Sequence, residues 1–276
     1  MAALTPDELA ARLAFAVAIA RRAGERLVRL RASGRWTDPG TLGDVGDQAA
    51  DGFLQGALSG RFPADAVLSE ETAPEPGALG AGVTWIVDPL DGTREYSSGR
   101  HDWAGHVGLA IGGRAVLGAV ALPAIDRVVS GCCEPLAEPV LAGEGGDWPH
   151  ALAADDPAAG VARPLRIVVS RSHTPSWIHA FGDAIGGVER VPCGSVGFKV
   201  AMLLFGRADL YVHRTGLQHW DTCAPEAVAR AAGFAICRFD GKALRYDGSD
   251  RRHGEFVACR PQHLERVLAA LHAVAR

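Results

Sequence analysis

Apolar residues first recur at helical intervals, Leu9, Leu13, Val17, Ala20, Gly24 and Leu27. Thr5-Pro6-Asp7-Glu8 precedes them as a capping box, with Thr5 as N-cap and Pro6 at the first helical position. The spacing predicts a helix to about Ala32. A turn-rich stretch, Gly34 to Gly46, leads into a second predicted helix from about Gln48 to Leu58. Val83–Val87 is a short apolar run ending in Asp88-Pro89, which reads as a buried strand. Ala104–Ile111 and Ala115–Leu122 flank Gly112-Gly113-Arg114, a hairpin signal, and Arg127–Gly131 adds another strand. Gly143 to Pro164 is rich in Gly, Ala, Asp and Pro, and reads as a surface loop between two halves. The second half alternates. Leu165–Val169, Val188–Val191, Ala208–His213, Phe234–Arg238 and Glu255–Cys259 read as strands with helices between them, and Pro261–Ala275 as a closing helix. The pattern predicts a mixed α/β fold in two sub-domains, residues 1–145 and 146–276.

Composition narrows the class. The chain has 276 residues, 48% of them hydrophobic and 22% charged, which excludes a mostly disordered protein. The formal net charge of −4 leaves no basic footprint for nucleic acid. The longest charge-free run of the first helix, Leu13 to Ala20, is far short of the ~20 residues a membrane span needs. Asp7 and Glu8 stand where a signal peptide would be basic. Cys132, Cys133, Cys193, Cys223, Cys237 and Cys259 form no Cys-x-x-Cys motif, so reduced buried thiols in a cytoplasmic protein are expected. Only Lys199 and Lys242 are lysines among 28 basic residues, so a lysine here is expected to do what arginine cannot.

Carboxylates recur in contexts that a solvated surface does not explain. They lie in Gly43-Asp44-Val45-Gly46-Asp47-Gln48, Leu68-Ser69-Glu70-Glu71, Trp85-Ile86-Val87-Asp88-Pro89-Leu90-Asp91-Gly92-Thr93 and His219-Trp220-Asp221, with Arg94-Glu95 a weaker fifth. Asp88 is expected where a buried strand ends and sites form. Asp91 is expected at a turn, and Gly92-Thr93 offers backbone N–H groups that can hold a phosphate. Two carboxylates and a carbonyl there make a hard oxygen site suited to Mg²⁺. Taken singly, each has a structural reading: an Asx-turn with a helix cap for Asp88 and Asp91, an exposed pair for Glu70-Glu71, an N-cap for Asp221, a turn for Asp47. Their joint occurrence favours a site.

At these segments the sequence resembles the inositol monophosphatase superfamily of Mg²⁺-dependent, Li⁺-sensitive phosphatases. Ser69-Glu70-Glu71, Trp85 through Thr93 and Trp220-Asp221 carry the resemblance, which spans about Thr41 to Ala232. Within the superfamily it looks most like the CysQ-type 3′-phosphoadenosine 5′-phosphate phosphatase branch. Trp36, Thr41-Leu42-Gly43, Gly46-Asp47, Thr93-Arg94-Glu95-Tyr96, Asp102-Trp103-Ala104 and Gly194-Ser195-Val196-Gly197-Phe198-Lys199 carry that likeness. Asp44-Val45-Gly46 departs from the family's usual Val-Thr before the aspartate that Asp47 matches. Arg214 stands where inositol-specific members have a glutamate.

The resemblance implies a layered α/β/α/β/α sandwich with most metal ligands in the first sub-domain. Asp221 and the leaving-group pocket fall in the second. It implies two or three Mg²⁺ ions, the first on Glu70, Asp88 and the Leu90 carbonyl, the second on Asp88, Asp91 and Asp221, and a weaker third near Asp47 and Glu70. It also implies in-line attack of a metal-bound water oriented by Thr93 and Asp47. The Gly92 and Thr93 amides would hold the scissile phosphate, Gly194, Ser195 and Val196 would line the leaving-group pocket, and Lys199 and Arg214 would meet a second phosphate. His106 and His219 are assigned structural roles. The implied reaction converts adenosine 3′,5′-bisphosphate to AMP and phosphate. A broader inositol 1-phosphate or fructose 1,6-bisphosphate phosphatase is the alternative. The partner is a small phosphate ester, and the oligomeric state stays open between monomer and homodimer.

Overall fold

A computed structural model describes residues 4–72, 82–133, 140–144, 163–172, 174–248 and 250–274. The first helices are α1 (Pro6–Ala32) and α2 (Pro39–Arg61), followed by β1 (Ala66–Ser69) and β2 (Val83–Asp91). A short α3 (Thr93–Ser97) precedes β3 (Ala104–Ile111), β4 (Arg114–Leu122), β5 (Arg127–Cys132) and β6 (Val140–Glu144). Then come β7 (Leu165–Ser170), α4 (Trp177–Ala184), β8 (Val188–Cys193), α5 (Val196–Leu204), β9 (Leu210–His213) and β10 (Leu217–Gln218). The chain continues with α6 (His219–Ala231), β11 (Ala235–Cys237), β12 (Arg252–His253), β13 (Phe256–Cys259) and α7 (Leu264–Val274).

One sheet has the order β1-β2-β3-β4-β5-β6, another β11-β13-β9-β7-β8, and β10 pairs with β12. Alternation along the strands assigns the layers. In β2 and β3, Trp85, Val87, Val107 and Leu109 face the apolar stripe of α1. Ile86, Ala104 and Ala110 face the other way, onto a core shared with α5 and α6 and with Val168, Tyr211 and Phe256 of the second sheet. Ile167, Val169, Leu210, Val212 and Val257 point outward to α4 and α7. Helices therefore cover both sheets on both faces, the expected five-layer α/β/α/β/α sandwich.

The hairpin is where expected, and the Thr5–Glu8 capping box is present on α1. Three expectations are corrected. The stretch 39–46 is helix, not turn. Asp38 caps α2 by accepting from the Thr41 amide at 2.8 Å, with Pro39 in the first turn. Its glycines serve close packing instead, because a Cβ on Gly43 would lie 2.7 Å from Thr93 Cγ2. The strand expected to end at Asp88 runs on to Asp91, with Pro89 in an irregularity of the β2–β3 pairing between Asp88 and Asp91, where a missing N–H is tolerated. Gly143 and Glu144 belong to β6 and pair with Val129 and Val128. Residues 145–162 of the expected loop lie outside the described residues. The closing helix begins with a 3₁₀ turn, Pro261–His263, before α7.

Two glycines seat α6. Gly108 and Gly118 are register partners on β3 and β4. A Cβ on Gly118 would sit 2.5 Å from the Ala224 carbonyl oxygen, and one on Gly108 would sit 2.9 Å from the Ala224 nitrogen. Bare backbone lets α6 lie against the sheet, which delivers its first turn to β2. Gly118→Val should therefore destabilise the fold by about 1–3 kcal/mol, the usual range for overpacking. Urea denaturation measures this, and an unchanged midpoint would show that α6 has room to spare.

The start of α6 is also held by β10–β12. His219 and His253 are buried with ring centroids 4.8 Å apart. Burial holds His253 down to about 3, helped by the charge of His219 and Arg238, and holds His219 down to about 4. An unfolded histidine near 6.5 binds protons that these folded ones refuse, so stability is full above pH 6.5 and falls as pH descends toward 3–4, by up to about 1.4 kcal/mol per pH unit per group. Melting curves of His253→Phe should be flatter than the parent's between pH 6.5 and 4; parallel curves would refute the assignment.

Candidate active site

β2 carries Asp88 and Asp91 to the edge of the shared core, both buried. Asp88 Oδ1 accepts from the Leu90 amide at 3.1 Å. Asp91 Oδ2 accepts from the Gly197 amide at 2.7 Å. Asp221 stands in the first turn of α6 and accepts from the Gln218 amide at 2.6 Å, so it closes the helix N-terminus as well as facing the site. Asp47 comes from α2. The Thr93 hydroxyl lies 3.3 Å from Asp47 Oδ2 and 3.1 Å from the Leu90 carbonyl. Ser69 ends β1, and Glu70-Glu71 follows it. Asp51 of α2 accepts from Ser69 Oγ at 2.6 Å and so holds this segment.

The charges confirm that these segments converge. Burial raises Asp88 well above the carboxylate range, and Asp91, Glu70, Asp221 and Asp47 push it further. Burial, then the charges of Glu71 and Glu70, lift Asp47 to about 8. Burial and the charge of Asp91 lift Asp221 to about 7. Glu70 is raised by desolvation and by Glu71 and Asp91. Burial would raise Asp91 too, but His106 and the Gly197 amide outweigh it and hold it below the usual range.

Crowded carboxylates of this kind are relieved either by taking up protons or by a cation placed among them. Asp47 Oδ1 is buried without a hydrogen-bond partner, an orphaned acceptor. Among the described residues, Asp88, Asp91 and His106 form the tightest potential metal group, with one ligand atom of each within 4.8 Å of the others. The residues present fit a hard divalent ion.

Gly92 adopts a left-handed conformation (φ 89°), and its Cα hydrogen faces Ser195, whose Cβ would be 3.1 Å from a side chain there. The structure thus brings the Gly92-Thr93 turn beside Gly194-Ser195-Val196. The amides of Gly194 and Ser195 are engaged by Asp102, by its Oδ2 at 2.7 Å and its carbonyl at 3.1 Å. Ser195 Oγ accepts from the Phe198 amide as the N-cap of α5, and the Val196 side chain is buried in the core. Lys199 is buried, its Nζ donating to the Gly194 carbonyl and lying 5.5 Å from the Tyr211 ring centre. Arg214 stacks 4.8 Å over Trp177, with a buried Nη2 that has no partner. It lines a cavity of about 360 Å³ with Trp177, Tyr211 and His213.

Two residues gain weight over the sequence reading. Asp102, there only a family marker, receives Arg100 and Arg171 as well as the Gly194 amide, and so ties the β7 end to the site. His106, assigned a purely structural role, sits opposite Asp88 in the β2–β3 register and 3.1 Å from Asp91. Its signal in the sequence was a ring among Ala104, Gly105, Gly108 and Ala110, on a strand too apolar to be exposed.

A profile of the inositol monophosphatase family matches residues 8–276. The chain belongs to the inositol monophosphatase family. It is 38% identical over 271 residues to a 3′-phosphoadenosine 5′-phosphate phosphatase of Mycobacterium leprae, covering 95% of this chain and 93% of that one. It is 29% identical to the 3′(2′),5′-bisphosphate nucleotidase CysQ of Escherichia coli O157:H7, covering 83% and 91%. The solved structure of CysQ from Bacteroides thetaiotaomicron, described as a bacterial member of the inositol monophosphatase family, superposes with a TM-score of 0.73 at 22% identity, over 91% and 97% of the two chains. Membership in the inositol monophosphatase family agrees with the acidic cluster built above.

Asp88 touches every other carboxylate of this cluster electrostatically, so Asp88→Asn should lower kcat by more than tenfold and abolish tight divalent-ion binding. Thr93→Ala should lower kcat more than it changes KM. Retention of a tenth of the activity by Asp88→Asn would refute its central place.

Proposed function

We propose that this chain is a Mg²⁺-dependent phosphomonoesterase that converts adenosine 3′,5′-bisphosphate to AMP and phosphate. The observation that carries the reading is the buried carboxylate cluster around Asp88, set beside the Gly92-Thr93 turn, in a chain 38% identical to a phosphatase named for that substrate. Glu70, Asp88 and the Leu90 carbonyl would hold a first Mg²⁺, Asp88, Asp91 and Asp221 a second, and Asp47 with Glu70 a weaker third. Bound Mg²⁺ supplies positive charge to the phosphoryl group and to the attacking and leaving oxygens. Thr93 orients the attacking water through its hydroxyl, and Asp47 takes the water's proton through Thr93. The water oxygen bonds to phosphorus as the bond to the 3′ oxygen breaks, and Asp221 assists protonation of that leaving oxygen. The Gly92 and Thr93 amides hold the phosphate oxygens. Gly194, Ser195 and Val196 shape the wall behind the leaving group.

The distal phosphate needs its own cations. Arg214 has an unpartnered buried nitrogen at a cavity large enough for part of a nucleotide. Lys199 adds positive charge nearby from its seat on Gly194. Buried thiols without disulfides fit a reducing compartment, and no helix among the described residues is long and apolar enough to cross a membrane; the cytoplasm is the setting we propose.

A substrate panel tests the reading. Activity should require Mg²⁺, vanish in excess chelator and be inhibited by Li⁺. The ratio kcat/KM should be highest for adenosine 3′,5′-bisphosphate. Arg214→Ala should raise KM for that substrate by the equivalent of about 1.5–3 kcal/mol, typical of a hydrogen bond to a charged group, and hardly change inositol 1-phosphate turnover, whereas Lys199→Ala, which also frees the Gly194 carbonyl, should weaken both reactions. Full activity in chelator would overturn the metal reading. A preference for inositol 1-phosphate or fructose 1,6-bisphosphate would favour the broader phosphatase.

A further inference from the structure

His106 is fully buried at the meeting point of three segments. From β3 it faces Asp88 in the strand register. Its Nδ1 donates to the Trp220 carbonyl at 3.1 Å, the peptide immediately before Asp221. Its Nε2 lies 3.1 Å from Asp91 Oδ2, the oxygen that also accepts from the Gly197 amide. The ring occupies a slot that only a glycine at 197 leaves open, because a Cβ there would overlap Nε2 and come within 2.9 Å of Val120 Cγ1. Asp91 and Asp221 sit on different layers of the fold, one on the six-stranded sheet and the other at the start of α6. The imidazole lies between them, hydrogen-bonded to the Trp220 carbonyl on one side and in close contact with Asp91 on the other, its buried Nε2 making no hydrogen bond elsewhere.

We propose that His106 is a positioning residue that fixes Asp91 and the Trp220–Asp221 turn at the separation a divalent ion between them requires. The proposal rests on the reading of Asp91 and Asp221 as metal ligands. A carboxylate that binds metal through one oxygen must have the other held, or its rotation competes with coordination. Gly197 holds the inner oxygen of Asp91 from one side, and His106 flanks it from the other. The turn before Asp221 is tied at its outer end, where the His219 amide donates to the Arg251 carbonyl at 2.8 Å and the Thr222 hydroxyl donates to the Gln218 carbonyl at 3.2 Å. Asp221 fastens to the Gln218 amide, and the carbonyl of the preceding residue is fastened by His106. Removing the ring nitrogens releases the Trp220 carbonyl and the His106 side of Asp91, whose bond to the Gly197 amide remains, and leaves Glu70, Asp88, Asp91 and Asp221 in place.

The test is calorimetric titration of the metal-free full-length protein with Mg²⁺, without substrate. It is joined to urea denaturation in chelator and to kcat and KM at saturating Mg²⁺. His106→Phe keeps an aromatic ring at the position and removes both nitrogens. The Mg²⁺ dissociation constant should rise about tenfold or more, the usual effect of losing a partner that orients a metal ligand. KM for the nucleotide at saturating Mg²⁺ should stay close to the parent's. His106→Asn, which restores a donor near the Nδ1 position for the Trp220 carbonyl but not the approach to Asp91, should fall between parent and His106→Phe. It serves equally if His106→Phe does not fold. Parent-like Mg²⁺ affinity in His106→Phe, or in His106→Asn if only that variant folds, would overturn the positioning role and leave the ligand reading intact. Failure of the parent itself to bind Mg²⁺ would overturn the ligand reading, and this role with it.

Discussion

Repulsion among Asp47, Glu70, Asp88, Asp91 and Asp221 is the constraint around which the rest of the molecule is arranged. Each of Asp47, Glu70, Asp88 and Asp221 is pushed toward its protonated form by burial and by the others. A chain seeking stability alone would not place them together. They stay because they are mounted on four separate segments, each with its own reason to be there. Asp88 and Asp91 belong to a strand buried along its whole length. Asp47 rides on a helix started by Asp38. Asp221 doubles as a cap for α6, whose dipole favours a carboxylate in its first turn. The segment with Glu70 is pinned through Ser69 to Asp51.

Close backbone approach is the second half of that arrangement. Gly108 and Gly118 admit α6 onto the sheet, Gly43 admits Thr93 to α2, and Gly197 admits the His106 ring beside Asp91. Each glycine is placed where a side chain would separate two members of the site. A local loss of packing at these positions therefore acts on chemistry as well as on stability, since the same contacts set both.

Much of this was legible in the chain, and the failures share a cause. The β3–β4 hairpin was found within a residue because Gly112-Gly113 sets its turn and both flanks are uniformly apolar. Asp88, Asp91, Glu70, Asp47 and Asp221 stand out in the sequence beside apolar runs and in the order of the family they resemble, and the fold brings them to one place. The start of α2 was misread because Gly40, Gly43 and Gly46 look like turn residues, whereas Gly43 and Gly46 serve tertiary contacts. The end of β2 was misread because Pro89 signals a stop, and only the pairing with β3 shows it sitting in an irregularity. His106 was given a structural role because its importance lies in strand register and in Gly197, which no local pattern reveals. Single-segment signals survive in sequence; relations between segments far apart in it do not.

The positive charges near the site follow the same logic as the negative ones. Arg100 and Arg171 converge on Asp102, and Asp102 in turn engages the Gly194 and Ser195 amides. Lys199 rests on the Gly194 carbonyl. These cations are used to hold the wall of the site, and among the described residues no guanidinium or ammonium group pairs with Asp88 or Asp221. Had an arginine paired with Asp88, the cluster would be neutralised permanently and could not take a divalent ion. Keeping lysine and arginine on the wall, and histidine alone beside Asp91, is how this fold stores enough uncompensated negative charge to recruit metal. Arg214 stands apart from that wall, with a buried nitrogen unpartnered at a cavity that Trp177, Tyr211 and His213 also line.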